Sequence, residues 1–137
     1  MSGVVVDTSA LVAILTDEPG RGWLSEQLGA ASVRLISAPT VLELGMVLEA
    51  RVPSATGIAR RLLRDARIEM VPFDEGHAER ALDAWRRFGR GRHPAALNFG
   101  DCCTYALAEQ TSSPILCVGQ DFSRTDLPVL QPPDRPE

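Results

Sequence analysis

Four carboxylates, Asp7, Glu43, Asp101 and Asp121, occupy positions from which they could share one piece of chemistry. Asp7 directly follows the β-branched run Val4-Val5-Val6 and begins Asp7-Thr8-Ser9-Ala10. Asp101 opens a helical segment after Asn98-Phe99-Gly100, and Asp121 follows Val118-Gly119-Gln120. Taken singly, the first two read as helix caps or dipole partners and the last as a turn residue. Glu43 is different, because Val41, Leu42 and Leu44 surround it. A carboxylate on such a helix either points to solvent or must find a partner, since burying it alone is costly. Carboxylates gathered at one point repel one another and take up protons unless a cation is present. Ligation by oxygen alone selects Mg²⁺ or Mn²⁺ over zinc. One or two such ions activate water and neutralise a scissile phosphate. That chemistry needs no histidine. Of the two histidines, His77 reads as packing on its helix and His93 lies in a basic loop.

The elements that must position these acids alternate. Val4–Val6 reads as a first buried strand, followed by an apolar helix from Thr8 to Leu15. Asp17-Glu18-Pro19-Gly20 is a break. A helix from about Gly22 to Ala31 puts Trp23, Leu24 and Leu28 on one face. Arg34–Ser37 is a second strand, and a helix entered through Pro39 runs from Thr40 to Arg51. Thr56 to Ala66 is helical, with Ile58, Leu62 and Leu63 as its apolar stripe. Ile68–Val71 is a third strand. Asp74 caps a helix to Phe88 that carries His77, Ala78, Ala81, Leu82 and Trp85 at helical spacing. Residues 89–100 form a loop, Asp101–Gln110 the last long helix, Pro114–Val118 a fourth strand and Val129–Leu130 a short fifth. Residues 1–130 read as one domain, and the proline-rich residues 131–137 as a frayed tail. The pattern implies an α/β fold, a three-layer α/β/α domain around a parallel sheet of four to five strands. Ligands of such sheets bind beyond the carboxyl ends of the strands, where strand order reverses. That edge is where Asp7, Glu43, Asp101 and Asp121 are expected to meet.

Composition narrows the chemistry. All 14 basic residues are arginine, and the formal net charge is −4. The lack of lysine removes Schiff-base chemistry, P-loop phosphate binding and phospho-aspartate chemistry of the receiver type. An acidic chain acting on a polyanion needs positive charge at its site, and divalent ions would supply it. Three cysteines, two of them adjacent, form neither a disulfide framework nor a zinc spacing. Apolar runs are too short to span a membrane, and Met1-Ser2-Gly3-Val4 has no leader character, so a cytoplasmic location is expected.

The segments Val5-Val6-Asp7-Thr8-Ser9-Ala10-Leu11, Glu43 in its helix, Arg92-His93-Pro94-Ala95-Ala96-Leu97-Asn98-Phe99-Gly100-Asp101-Cys102 and Gln120-Asp121-Phe122-Ser123-Arg124-Thr125-Asp126 together resemble the PIN-domain ribonucleases. They are similar in particular to the VapC toxins of bacterial toxin–antitoxin pairs. The resemblance runs from Val4 to about Leu130. It implies Mg²⁺- or Mn²⁺-dependent endonucleolytic cleavage of RNA, a cognate VapB-type antitoxin, and a homodimer. It assigns Asp7 and Asp101 as metal ligands, Glu43 as the third acid and Asp121 as the fourth, with Asp126 as a possible substitute. Ser9 and Asn98 match supporting positions. Hydrolysis by water would leave a 5′-phosphate and a 3′-hydroxyl. Arg90 and Arg92, in a loop of four arginines and two glycines, are candidates for holding RNA phosphates, against the alternative of a solvated loop. Phe88 and Phe99 read as core residues, although either could stack on a base. The Trp23–Leu24–Leu28 face reads equally as core or as antitoxin groove. A metal-dependent DNA or flap nuclease, or a non-catalytic module of the same fold, are the alternatives.

Overall fold

Three consecutive valines divide the core in two. Successive side chains of a strand point to opposite faces. In β1 (Gly3–Val6), Val4 and Val6 enter one apolar cluster and Val5 enters another. The structure is a computed structural model that describes residues 3–133. Its elements follow in the order α1 (Thr8–Leu15), α2 (Arg21–Ala30), β2 (Val33–Ser37), α3 (Ala38–Arg51), α4 (Ile58–Asp65), β3 (Glu69–Val71), α5 (Glu75–Phe88), α6 (Phe99–Thr111), β4 (Ile115–Leu116), a 3₁₀ turn (Phe122–Arg124) and β5 (Val129–Leu130). The five strands are all parallel, in the order β3-β2-β1-β4-β5. Leu11, Leu24, Leu44 and Leu63 bring α1 to α4 into the cluster of Val4 and Val6. Ala84 and Leu107 bring α5 and α6 into the cluster of Val5. The result is the expected three-layer α/β/α arrangement, with five strands and six helices.

Local chemistry sets the helix ends. Asp74 accepts a hydrogen bond from the His77 amide at 3.1 Å, and Glu75 and Arg86–Arg87 complement the dipole of α5 at its two ends. α6 starts two residues earlier than expected. Asn98, not Asp101, is its cap, and the two form a reciprocal capping box in which Asp101 is the third helical residue. β4, Ile115–Leu116, is shorter than the expected Pro114–Val118.

His77 is buried, edge-on to Phe73. Leu82 and Trp85, by contrast, are exposed on α5. Phe88 packs in the core as expected, but Phe99 is 81% exposed and does not. At the first position of α6 its side chain precedes the buried face that begins at Gly100. Leu24 and Leu28 are core residues, while Trp23 is half-buried beside Val129–Pro133. The first residues of the expected tail are therefore packed. Pro132 lies so close to Gly20, a left-handed residue, that a Cβ there would come within 2.7 Å of its ring. Residues 1–2 and 134–137 lie outside the described residues, so the rest of the expected tail does too.

Candidate active site

Strand order runs outward in both directions from the β1–β4 pair, which makes the space beyond these two strands the switch point of the sheet. Asp7 stands there. Its amide donates to the Leu116 carbonyl at 3.0 Å, so the end of β4 fixes its backbone. It is 5% exposed and caps α1. Oδ2 accepts from the Ser9 amide at 3.0 Å and the Ser9 hydroxyl at 2.7 Å. Oδ1 accepts from the Thr104 hydroxyl at 3.0 Å. Thr104 in turn lies 3.2 Å from the Thr40 hydroxyl, in a buried pair. The Ser9 hydroxyl also accepts from the Val118 amide at 3.0 Å, tying α1 to the chain leaving β4. Burial raises the Asp7 carboxyl above 3.8; the Ser9 and Thr104 hydrogen bonds oppose that, and the charge of Glu43 adds to it.

Glu43 reaches the same place from α3. Oε1 accepts from the Thr8 hydroxyl at 2.5 Å, so the carboxylate is held and does not drift into solvent. Oε2 lies against Gly100, close enough that a Cβ there would be 2.5 Å away. Glycine at this point lets Glu43 and the first turn of α6 share the site.

Asp101 is half-buried and accepts the Asn98 amide at 3.0 Å on Oδ2. Burial pushes its carboxyl up to about 7; the Asn98 amide counters this, and the charges of Asp7, Asp121 and Glu43 add to it. Three separate acids thus act on Asp101. Asp7, Glu43 and Asp101, with Thr8 and Ser9, line one open cleft of about 340 Å³. Asp121 is exposed at the start of the 3₁₀ turn, near enough to act on Asp101 but not in the cleft wall. Asp126 is turned to different partners. One of its oxygens accepts from the Tyr105 hydroxyl at 2.5 Å and the other from Arg87 at 2.9 Å. Burial would raise its carboxyl, but those two hydrogen bonds outweigh that and hold it below 3.8.

Among the described residues no three acidic, histidine or cysteine side chains close into a complete metal cage. The donor set nevertheless suits a hard cation. Its oxygens belong to carboxylates, no basic side chain among the described residues pairs with them, and burial, with the charges of Asp7, Asp121 and Glu43, holds the Asp101 carboxyl at about 7. Mg²⁺ is usually held by one or two carboxylates, with water and phosphate completing its shell, so a full cage is not required. The cysteines stay thiols. All three are buried and unpaired, and burial together with nearby acids pushes Cys102 and Cys103 up to about 11 and Cys117 up to about 12.

Thr8, Thr40 and Thr104 are positioning residues that the sequence reading passed over. Thr104 lies three residues beyond Asp101 and so shares its helix face, a signal that was available. Glu18 and Arg51 also line the cleft. Arg51 follows Glu43 and Val47 at a four-residue spacing along α3, which was legible too; nothing local marked Glu18. Arg90 and Arg92 are not in this cleft. Arg90 lines a neighbouring groove between α5 and α6, and the Arg92 guanidinium sits 4.2 Å from the centre of the Trp85 ring.

A family model of the PIN domain matches residues 4–127. The VapC ribonuclease Mb0640 of Mycobacterium bovis is 40% identical over 131 residues, which covers 95% of this chain and 100% of that protein. Ribonuclease VapC of Mycolicibacterium smegmatis is 43% identical over 128 residues, covering 93% of this chain and 99% of its own. Among solved structures, Mycobacterium tuberculosis VapC20, a Sarcin-Ricin loop cleaving toxin, has a TM-score of 0.76 at 16% identity, over 94% of this chain and 99% of that one. A toxin–antitoxin complex from Klebsiella pneumoniae has a TM-score of 0.71 at 19% identity, over 96% and 99%. The structural likenesses speak for the fold and the sequence matches for kinship, and together they agree with the acids gathered at the switch point: this chain belongs to the PIN-domain family, among its VapC ribonucleases.

Proposed function

We propose that this chain is a toxin endoribonuclease that cleaves RNA by divalent-metal-dependent phosphodiester hydrolysis and is inhibited by a cognate VapB-type antitoxin. The observation that carries this reading is the convergence of Asp7, Glu43 and Asp101 on one cleft, with Asp101 raised to about 7 by burial and by the neighbouring acids. Relatives that match nearly the whole chain are named ribonucleases, and structural neighbours include toxin–antitoxin complexes, which supports the rest. Asp7 and Asp101 would hold Mg²⁺ or Mn²⁺, and Glu43 and Asp121 would reach it through water or hold a second ion. Such an ion, when bound, lowers the pKa of water and offsets charge on the phosphate.

The chain's own groups do the positioning. Ser9 and Thr104 fix both oxygens of Asp7. Thr8 holds Oε1 of Glu43 and leaves Oε2 to orient a water for in-line attack. Arg51, in the cleft wall, can pair with a non-bridging phosphate oxygen. Hydrolysis would leave a 5′-phosphate and a 3′-hydroxyl. No helix among the described residues is long and apolar enough to cross a membrane; a cytoplasmic homodimer is the setting in which we place the reaction.

The test is cleavage of matched RNA and DNA oligonucleotides with Mg²⁺, with Mn²⁺ and with EDTA, beside folded Asp7→Asn. RNA cleavage that needs the ion and Asp7 is expected. Full activity in EDTA or in Asp7→Asn, a preference for DNA, or a 2′,3′-cyclic phosphate product would overturn the proposal.

A further inference from the structure

We propose that Asp126, Tyr105 and Arg87 form an anchor that sets Asp121 at a fixed spacing from Asp101, and so act as positioning residues for the fourth acid. This rests on the ribonuclease reading above, in which Asp121 serves the metal site. Asp126 does not line the cleft of Asp7, Glu43 and Asp101. One of its oxygens accepts from the Tyr105 hydroxyl at 2.5 Å and the other from Arg87 at 2.9 Å. The Arg87 guanidinium also donates to the Tyr105 hydroxyl at 3.3 Å, so the three side chains close on one another. The side chains of Arg87 and Asp126 are 42% and 48% exposed, and an ion pair in that setting holds little by itself. Tyr105 is buried, which makes its short, charge-assisted bond to Asp126 the firm one.

Tyr105 lies one turn beyond Asp101 on α6, at the four-residue spacing that puts two side chains on one face. One helix therefore carries both a proposed metal ligand and the hydroxyl that holds Asp126. From Asp126 the chain leads back to Asp121 through a short, internally bonded turn. Thr125 donates twice to the Phe122 carbonyl, from its amide at 3.0 Å and from its hydroxyl at 2.7 Å. The Ser123 hydroxyl donates to the Gln120 carbonyl at 2.9 Å. Asp121 opens the 3₁₀ turn, and its charge acts on Asp101. The circuit from Asp101 through Tyr105, Asp126 and Asp121 thus returns to its start.

Apolar packing alone would leave this turn free in one respect. Phe122 is buried in the cluster of Val5, and Leu127 packs against the same cluster. Such contacts are non-directional, so they hold the segment down and still allow it to roll. The bonds from Asp126 to α5 and α6 are directional and remove that roll. Arg124 adds a tie to the Pro94 carbonyl at 3.1 Å, in the loop that leads into α6. Asp121 is exposed and makes no side-chain cap bond, so its placement depends on the turn that carries it.

Mn²⁺ binding to the full chain without RNA is measured by calorimetry in the parent, in Asp126→Ala, Tyr105→Phe and Asp121→Asn, and in the two double variants that include Asp121→Asn. Cleavage of a fluorescein-labelled RNA oligonucleotide is followed well below each melting temperature. Asp126→Ala and Tyr105→Phe are each expected to weaken Mn²⁺ binding roughly tenfold, within the range for residues that orient a metal ligand. Each should lower kcat with KM unchanged. Neither should weaken Mn²⁺ binding further in the Asp121→Asn background, because both act through Asp121. Additive losses would make Asp126 a ligand in its own right and overturn the anchor. A lower melting temperature with Mn²⁺ affinity and kcat unchanged would also overturn it, leaving the trio as a fold contact only. So would parent-like Mn²⁺ binding in Asp121→Asn. Coupled losses of Mn²⁺ binding in a chain whose parent cleaves no RNA would sink the ribonuclease reading alone; metal-dependent cleavage indifferent to Asp126 and Tyr105 would sink the anchor alone. No Mn²⁺ binding by the parent would overturn both.

Discussion

Gly100→Ala should separate activity from stability, because one methyl group meets one catalytic candidate. An ideal Cβ at this position would stand 2.5 Å from Oε2 of Glu43 and 2.9 Å from both Oε1 and Cδ. Contacts under 3.0 Å force something to move. The backbone of α6 is pinned by the Asn98–Asp101 capping box, so the Glu43 side chain must give way. A shift of that size at the carboxylate would break or strain its hydrogen bond from the Thr8 hydroxyl. Losing that charge-assisted, partly exposed hydrogen bond costs about 1–2 kcal/mol. Replacing glycine by alanine in a helix returns up to about 1 kcal/mol, less near the first turn. The net loss is then about 1 kcal/mol, which lowers the melting temperature by only a few degrees. Activity should fall far more, since a displacement of about 1 Å at a reacting centre can cost roughly a hundredfold. Thermal melts beside a steady-state RNA cleavage assay with Mg²⁺ measure both. Thr8→Ala is the control: it breaks the same hydrogen bond without adding bulk and should lose less activity. Wild-type turnover in Gly100→Ala would mean either that Glu43 is not needed where it stands or that the first turn of α6 is softer than the capping box implies.

Thr104→Val should cost about 1–3 kcal/mol, because it removes a donor from nearly buried Asp7 and leaves the Thr40 hydroxyl unpartnered; a chemical-denaturation midpoint equal to that of the parent would refute the linkage. Asp101 makes a pH prediction for the metal-free protein. Its folded value of about 7 lies above the ordinary 3.8, so the stability it contributes is fully present below about pH 4 and is lost as pH rises through about 7. The full separation corresponds to about 4 kcal/mol, and partial exposure and relaxation should reduce it to about 1–2 kcal/mol. In EDTA the melting temperature should drop between about pH 5 and about pH 8, Asp101→Asn should flatten that drop, and Mg²⁺ should reverse it because carboxylate ligands bind it deprotonated. A drop identical in Asp101→Asn would place the effect elsewhere.

What the sequence made legible depended on how local each signal was. Alternation of strand and helix gave the layers, and β-branched Val4–Val6 gave the central strand. Helix α1 matched its expected limits because Asp7 caps it and Asp17 begins the break beyond it. The start of α6 was misjudged because Asn98 and Asp101 are both good cap residues, and only the reciprocal hydrogen bonds decide between them. Helical spacing put Leu82 and Trp85 on one stripe but did not say whether that stripe faced the sheet or a groove. The acids Asp7, Glu43 and Asp101 could be brought to one edge by topology alone. That Asp121 sits near Asp101 while Asp126 is taken by Tyr105 and Arg87 could not, because both lie in the turn segment between β4 and β5 and their partners come from distant helices.

The same geometry answers how a chain of net charge −4 could work on a polyanion. Its negative charge at the site is not spread over a surface. It is recessed at the switch point, where Asp7 is almost fully buried and Glu43 and Asp101 are partly so. Arginine lies around it, with Arg51 in the cleft wall and Arg90 and Arg92 at the groove that shares Asn98 with Asp101. Without a cation the neighbouring charges help raise the carboxyls of Asp7 and Asp101 and oppose an incoming phosphate. With one, the same closeness becomes an advantage, because the ion is drawn to the point where the phosphate must be held. On the proposed reading, the acidity of the site would make the metal a condition of substrate binding as well as of chemistry. It follows that the affinity of this chain for RNA should itself depend on divalent cation through Asp101 and Asp7, and that neutralising either acid should weaken that dependence before it weakens binding through the arginines.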